Sequence, residues 1–290
     1  MPKIAVLTDS CASLPEFLFK ELKIHMVAYY IHRGQEVLRD LVTIQREEFL
    51  RWLATTKILP TTASPGPGDY FQAYDMLVKE RGAKEIISIH MTSTGSGAYQ
   101  AAKIAQSMAQ EQMPDVRIDV IDTRNTSMCT GWMVIEAARA ALAEVNFDTI
   151  LDLIKKKMIP VTRMIMTADT LKYLYMGGRI GLAKSMLGNL LNIKPLIGMT
   201  DGVIVPLGQA RSRSRAYQMM VDMIVAAVGP LGKIKIAYTH AGAREEVEKI
   251  KSLVEKRLTC VETIISELSP ALAVHTGPGT AGLCYYPVED

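Results

Sequence analysis

Three stretches rich in hydroxyl groups are the first candidates for chemistry in this 290-residue chain: Thr8-Asp9-Ser10, Thr61-Thr62-Ala63-Ser64 and Thr92-Ser93-Thr94-Gly95-Ser96-Gly97. Clustered O–H donors suit an anion or carboxylate, because a carboxylate withdrawn from water is costly unless several donors meet it. The third stretch is the most informative. Ser96 directly precedes the helix-like run Gly97-Ala98-Tyr99-Gln100-Ala101-Ala102, and the free N–H groups and positive dipole end of a helix start attract an anion. Ser96 serves equally as a plain N-cap, worth about 1 kcal/mol to the helix, and the two roles are compatible. A nucleophilic serine is disfavoured, because Thr94 stands where the G-x-S-x-G spacing needs glycine.

Other motifs lead less far. Gly277-Pro278-Gly279-Thr280-Ala281-Gly282 matches G-x-G-x-x-G and follows the strand-like Ala271-Leu272-Ala273-Val274. The segment after it is strand-like and stopped by Pro287, so the helix that a dinucleotide site requires is missing. What remains is a tight turn that either brings His275 and backbone close to a ligand or holds His275 as a structural histidine. Cys11, Cys129, Cys260 and Cys284 form no C-x-x-C pair, and His25, His32, His90 and His240 show no ligand spacing, so neither disulfides nor a metal are expected. Arg211-Ser212-Arg213-Ser214-Arg215 either faces phosphate or an acidic partner, or is a solvated strand end.

Lys and Arg number 33 against 30 Asp and Glu, a net charge of +3, far from the concentrated basic excess of a nucleic-acid binder. No apolar run reaches the roughly 18 to 20 residues that span a bilayer. Met1-Pro2-Lys3-Ile4-Ala5-Val6 enters a strand without a signal-peptide layout, so a cytoplasmic protein with no integral membrane segment is expected. The 17 methionines suit a deformable cavity lining as well as an ordinary core.

Alternating elements must position these residues. Ile4 to Leu7 reads as a strand, Leu14 to Lys23 as a helix opened by Ser13, Ile24 to Ile31 as a strand and Arg46 to Leu53 as a helix. Pro60 to Gly68 reads as irregular loop. A helix over Asp69 to Arg81, closed by Gly82, leads to a strand at Glu85 to His90, then a helix over Ser96 to Glu111, a strand at Arg117 to Ile121 and a helix over Thr126 to Ala143. This rhythm predicts a parallel three-layer α/β/α sheet, whose strand-end loops converge on one edge where ligands bind. After a helix over Phe147 to Lys157 the texture changes. Strands at Met164 to Thr167, Lys235 to Tyr238, Thr263 to Leu268 and Leu283 to Tyr286, helices over Leu182 to Leu191, Arg215 to Val228 and Ala243 to Arg257, and a hairpin about Asp201-Gly202 predict a mixed-sheet α/β unit. Two lobes, 1–158 and 159–290, are expected.

One longer string is more specific than any motif above. Asp169-Thr170-Leu171-Lys172-Tyr173-Leu174-Tyr175-Met176-Gly177-Gly178-Arg179-Ile180-Gly181, continuing to Leu190-Leu191-Asn192-Ile193-Lys194-Pro195-Leu196, closely resembles the DegV family. Thr8-Asp9-Ser10, Thr62 to Asp69, Ser96 to Gln100, Asp201-Gly202 and His275 to Gly279 fall in the family's order, so the resemblance covers essentially the whole chain. It implies that the lobes enclose a long-chain fatty acid, such as palmitate, stearate or oleate, with no cofactor. It also implies a binding subunit rather than an enzyme, one that presents the carboxylate to a separate ATP-binding fatty-acid kinase subunit for acyl-phosphate formation.

By the same resemblance Thr62 and Ser96 hydrogen-bond the carboxylate and Arg179 and His275 are contacts from the second lobe. Thr61, Thr94, Gly97 and Gly178 are further candidates. The family commonly has Thr-Ser-Gln-Pro-Ser where this chain has Thr62-Ala63-Ser64-Pro65-Gly66. Registering on Thr61 would move the key hydroxyl by one residue, whereas Thr62 keeps Asp69 and Tyr74 in phase. Gly95 replaces a larger residue, often Leu. Leu182, Met186, Leu187, Leu190 and Leu191 are either part of an acyl sleeve or plain core. The competing readings are a self-sufficient enzyme, either a serine hydrolase or a phosphotransferase related to dihydroxyacetone kinases, and a lipid-sensing regulator. Against the phosphotransferase, the chain has no G-x-x-x-x-G-K-[ST] loop.

Overall fold

The computed structural model describes residues 3–189 and 193–288. Its strands are β1 (Ile4–Asp9), β2 (His25–Val27), β3 (Tyr30–Arg33), β4 (Glu36–Arg39), β5 (Thr61–Ala63), β6 (Glu85–His90), β7 (Arg117–Asp122), β8 (Arg163–Thr167), β9 (Lys194–Thr200), β10 (Val203–Ala210), β11 (Lys233–His240), β12 (Thr259–Glu267) and β13 (Ala281–Pro287). The helices are α1 (Glu16–Glu21), α2 (Arg46–Thr55), α3 (Pro67–Arg81), α4 (Ala98–Gln112), α5 (Ser127–Leu142), α6 (Phe147–Asp152), α7 (Lys172–Met176), α8 (Arg213–Val228), α9 (Arg244–Val254) and α10 (Pro270–Thr276).

Strands β2-β1-β6-β7 form a fully parallel sheet. The apolar residues of β1 and β6 suit strands covered on both faces. Crossovers between parallel strands are right-handed. Helices α3 and α4, which both carry the chain toward β7, therefore share one face, and α1, which carries it toward β2, lies on the other. The second sheet runs β10-β9-β8-β13-β11-β12, with β11 and β12 parallel and all other neighbours antiparallel. The expected combination of a parallel and a mixed sheet is thus present.

Helix α5 packs against β1 and β6 and also against β11 and β13, and Trp132 Nε1 donates to the Cys284 carbonyl at 3.2 Å. One hydrophobic core runs from Ile4 through α5 to Cys284. A second lies between the mixed sheet and helices α8 and α9, around Tyr217, Ile224, Ile236 and Val247.

Several local expectations need correction. Ile24 to Ile31 is two strands, because the chain leaves the parallel sheet after Val27 and joins the antiparallel sheet β4-β3-β5 at Tyr30. The supposed loop Pro60 to Gly68 contains β5, paired through Thr61↔His32 and Ala63↔Tyr30 with a strand distant in sequence. It also contains the start of α3, where Pro67 takes the first turn and Asp69 Oδ2 accepts from Gly66 N–H at 2.8 Å. Ser13 does not open α1. It closes a 3₁₀ turn at φ 52° and its hydroxyl accepts from Ser269 N–H at 3.1 Å, while Pro15 holds the N-cap. Ala271 to Val274 is helix rather than strand, because Ser269 caps it and Pro270 sits in its first turn.

The Asp201-Gly202 hairpin is present, with φ of 47° and 83° at its two residues, the turn geometry that favours a glycine. Its tip docks on the first sheet's loops. The Gly202 carbonyl accepts from Thr92 Oγ1 at 3.1 Å and from Thr94 Oγ1, and a Cβ at Gly202 would lie 2.3 Å from Thr92 Oγ1. Gly202→Ala combines backbone strain with that collision. It should cost more than about 1 kcal/mol, seen as a lower urea midpoint.

Buried Asp40 offers a pH test. Ser10, Ser269 and the Ala271 N–H face it, but no donor meets its oxygens in good geometry, and burial pushes its carboxyl up to about 6. An unfolded aspartate titrates near about 3.9, so the folded chain holds the extra proton between these values. This contribution is complete below about pH 4 and is lost as pH rises through 6. Asp40→Asn should therefore gain stability relative to the wild type between pH 4.5 and 7.5, and parallel melting curves across that range would refute it.

Candidate functional site

A cavity of about 560 Å³ opens where the carboxyl-end loops of the parallel sheet face β8, β9 and β10, α7 and α10. Strand alternation decides which side chains reach it. Met164 and Met166 on β8 line it while Ile165 between them packs into the second core, and on β9 Ile197 and Met199 line it while Leu196 packs outward. Leu174 from α7 and Leu268, Ala271 and Leu272 at α10 complete an apolar wall, with Met91 and Cys11 from the parallel sheet's loops. Met164, Met166, Met199 and Met91 thus serve as lining; the count of methionines hinted at this but did not locate them.

The polar groups meet in a connected cluster. Thr62 on β5 and Ser96 before α4 both line the cavity. Their segments touch, since a Cβ at Gly97 would lie 3.2 Å from Ser64 Oγ. Gly97, not Ser96, holds the N-cap of α4; Ser96 stands one residue before it, its Oγ accepting from Ala98 N–H at 3.2 Å and lying 2.6 Å from the hydroxyl of Tyr29. Thr62 Oγ1 lies 2.8 Å from His275 Nε2. Arg179, on the exposed rim, donates from Nη1 to the Gly177 carbonyl at 2.7 Å and from Nε to the Gly95 carbonyl at 3.4 Å.

The Gly177-Gly178-Arg179 string now has a physical reason. A Cβ at Gly177 would fall 2.3 Å from His275 Nδ1, so only glycine lets α7 close on that imidazole. His275 titrates low, near about 4, chiefly because burial disfavours its cation and secondarily because Arg179 is near. It is neutral at pH 7. Nδ1 has no hydrogen-bond partner, and an orphaned buried N–H is rarer than an orphaned acceptor. We therefore assign the proton to Nε2, which donates to Thr62 Oγ1 and leaves the threonine O–H free for a ligand.

Of the residues singled out from sequence, Thr62, Ser96, Arg179, His275, Thr94, Gly97 and Gly178 all line this cavity. Thr61 does not: successive strand residues point to opposite faces, and it lies exposed beside Thr62 on β5. Thr94 lines the cavity but spends its hydroxyl on the Gly202 carbonyl.

The loop Thr8-Asp9-Ser10 contributes no hydroxyl to the cavity. Thr8 donates to the Ile89 carbonyl at 2.8 Å, Ser10 accepts from Tyr29 N–H at 3.1 Å, and Asp9 faces His90 at 3.0 Å. His90 in turn faces Ser88 at 2.7 Å. This arrangement resembles a hydrolytic triad, but Asp9, His90 and Ser88 are fully buried and none lines the cavity. Ser96 itself bonds to Tyr29 and Ala98, and the cavity's imidazole is bonded to Thr62, so among the described residues no histidine or carboxylate is hydrogen-bonded to Ser96.

Leu182 is exposed, Met186 is buried in the first core and Leu187 packs against it; none lines the cavity. Leu190 and Leu191 lie outside the described residues. Arg213 ties the glycine turn down, donating to the Gly279 carbonyl and to Asp169, each at 2.8 Å; Arg211 and Arg215 are exposed. Sequence reasoning missed Tyr29, which was absorbed into one supposed strand and carries no local signal of its role.

Comparison with known proteins places this architecture. A sequence model of the DegV family, described as an uncharacterised protein family, matches residues 3–288. A DegV domain-containing protein of Caldanaerobacter subterraneus subsp. tengcongensis is 31% identical over 285 residues, 98% of this chain and 99% of the relative. One from Halalkalibacterium halodurans is 31% identical over 99% of each. Among solved structures, a DegV family protein from Thermus thermophilus, described for its fatty acid binding, matches with TM-score 0.90 at 28% identity, covering 98% of this chain and 99% of that one. DegV from Bacillus subtilis, described as a fatty acid binding protein, matches with TM-score 0.86 at 26% identity over 98% and 99%. With the family's sequence model matching residues 3–288 and relatives 31% identical over nearly their whole length, this chain belongs to the DegV family.

Proposed function

We propose that this protein binds a long-chain fatty acid in the cavity, holding its carboxylate at Thr62 and Ser96 with Arg179 and His275 alongside. The observation that carries this reading is the joining of one cluster of neutral donors to a wall of Met, Leu and Ile. The volume of about 560 Å³ falls within the roughly 300 to 1,000 Å³ of small-molecule sites. A long acyl tail gains about 0.8 kcal/mol per buried CH₂, enough to offset partial desolvation of the head when hydroxyls receive it. The Thermus thermophilus and Bacillus subtilis relatives, both described as binding fatty acids, support the same ligand.

The finer reading is a substrate-binding subunit that presents the carboxylate to a separate ATP-binding fatty-acid kinase subunit in the cytoplasm. Arg179 supports it, standing exposed at the rim, where an incoming phosphate donor would meet it. None of the described helices is long and apolar enough to cross a membrane. In this reading the chain divides near residues 158 and 159 and the ligand lies between the two units.

Organic extraction of the purified protein followed by mass spectrometry should recover a fatty acid at near one equivalent. Recovery of none, with none bound on addition of palmitate, stearate or oleate, would overturn the reading. Ser96→Ala and Thr62→Val should each weaken fatty-acid binding about tenfold or more, since a hydrogen bond to a charged group contributes about 1.5 to 3 kcal/mol. Arg179→Ala should lower acyl-phosphate formation with a kinase subunit and ATP.

The state of His275 is separately testable. In nitrogen-detected NMR titration of the free protein the imidazole should stay neutral until near pH 4. Arg179→Gln should raise that midpoint while leaving it below the ordinary value of about 6.5, because burial is the larger cause. A midpoint near 6.5 in the wild type would contradict the assignment.

A further inference from the structure

The proton of Ser96 has little choice of direction. A hydroxyl carries one proton and two acceptor positions. One position on Ser96 Oγ takes the Ala98 N–H at 3.2 Å, and the other faces the Tyr29 hydroxyl at 2.6 Å. Of those two hydroxyls the phenol is the stronger donor and the weaker acceptor. If Ser96 donated instead, the buried Tyr29 O–H would be left with the neighbouring Cys11 thiol, a weak acceptor in place of a good one.

Tyr29 is also held in place. It sits at the join between β2 and β3, 4% exposed, with its N–H donating to Ser10 Oγ at 3.1 Å and its carbonyl accepting from Asp40 N–H at 2.9 Å. Those two bonds pin its backbone, and packing in the first core leaves the ring little room to change rotamer. With both acceptor positions of Ser96 filled, its own proton is directed to a third group, and the open space beside it is the cavity.

We propose that Tyr29 is a positioning residue of the carboxylate site: by donating to Ser96 Oγ it commits the serine proton to the bound carboxylate. This deepens the fatty-acid reading and rests on it. Tyr29 itself lines the cavity, but its donation acts on the ligand through Ser96. Its effect is largest on an ionised head group, because hydrogen bonds to charged acceptors are about twice as strong as those between neutral groups. The pair therefore sets preference for an acid over a neutral lipid of the same length.

The test measures dissociation constants for oleic acid and oleyl alcohol at pH 7.5 in the wild type, Tyr29→Phe, Ser96→Ala and the double variant. Tyr29→Phe keeps the ring, and thermal melting verifies that it folds. It should weaken oleic acid about five- to tenfold and oleyl alcohol less than about twofold. In the Ser96→Ala background it should add nothing, because its partner is gone. Tyr29→Phe retaining wild-type affinity while Ser96→Ala loses it would overturn the positioning role and leave the fatty-acid reading intact. Equal weakening of acid and alcohol, or additive losses in the double variant, would overturn it too, by showing that Tyr29 acts through packing. Ser96→Ala binding oleic acid as well as the wild type would take the carboxylate away from Ser96 and overturn the positioning role, whereas failure of the wild type itself to bind oleic acid would sink the fatty-acid reading.

Discussion

Helix α5 has almost no solvent face, and that constraint organises the molecule. Twelve of its 16 residues are buried, so a single sheet cannot cover it. The parallel sheet takes one side and the mixed sheet the other, and Trp132 anchors the helix to β13 through the Cys284 carbonyl. A helix apolar around its circumference must be enclosed. Enclosing this one fixes the distance between the sheets, and the seam left beyond its N-terminus, at Thr126 and Ser127, is the cavity. The hairpin tip at Gly202 then latches the seam by accepting from Thr92 and Thr94.

In the proposed carboxylate site the donors are mostly neutral. A buried cation waiting for an anion would carry a desolvation cost of several kcal/mol until the ligand arrived, whereas a hydroxyl backed by a second donor costs little while empty. Thr62 is backed by His275 and Ser96 by Tyr29. The guanidinium of Arg179 is kept at the exposed rim, where water solvates it, yet it remains close enough to help hold His275 neutral. Low charge inside and positive charge at the mouth follow from that single energetic argument.

Much of this was legible in advance where the signal is local. The β-α-β alternation predicted the parallel sheet, and Asp201-Gly202 predicted its turn, because only residues tolerant of positive φ make it. The string Asp169 to Gly181 marked Arg179 and pointed through the family resemblance to His275. Errors fell where a distant partner, or a cap just before an apolar run, overrode the periodic pattern. Strand β5 exists because β3 lies beside it, and α10 is a helix because Ser269 and Pro270 set its start against residues of the opposite sheet. Leu182 has helical spacing and good apolar neighbours, yet it faces solvent.

By itself the sequence determined which residue types were available: hydroxyl loops at strand ends, a glycine pair before an arginine, a histidine before a glycine turn. These are properties of short segments, governed by backbone sterics and hydrogen-bonding chemistry close along the chain. Only the tertiary structure decided which of them meet. It turned Thr62 inward and Thr61 outward by strand parity, withdrew Asp9 and Ser10 into the frame, spent Thr94 on the hairpin and brought Tyr29 to within 2.6 Å of Ser96 across 67 residues of chain. The physical reason is that a hydrogen bond depends on position to within tenths of an ångström, and such positions are set by how α5 and the two sheets pack, not by distance along the sequence.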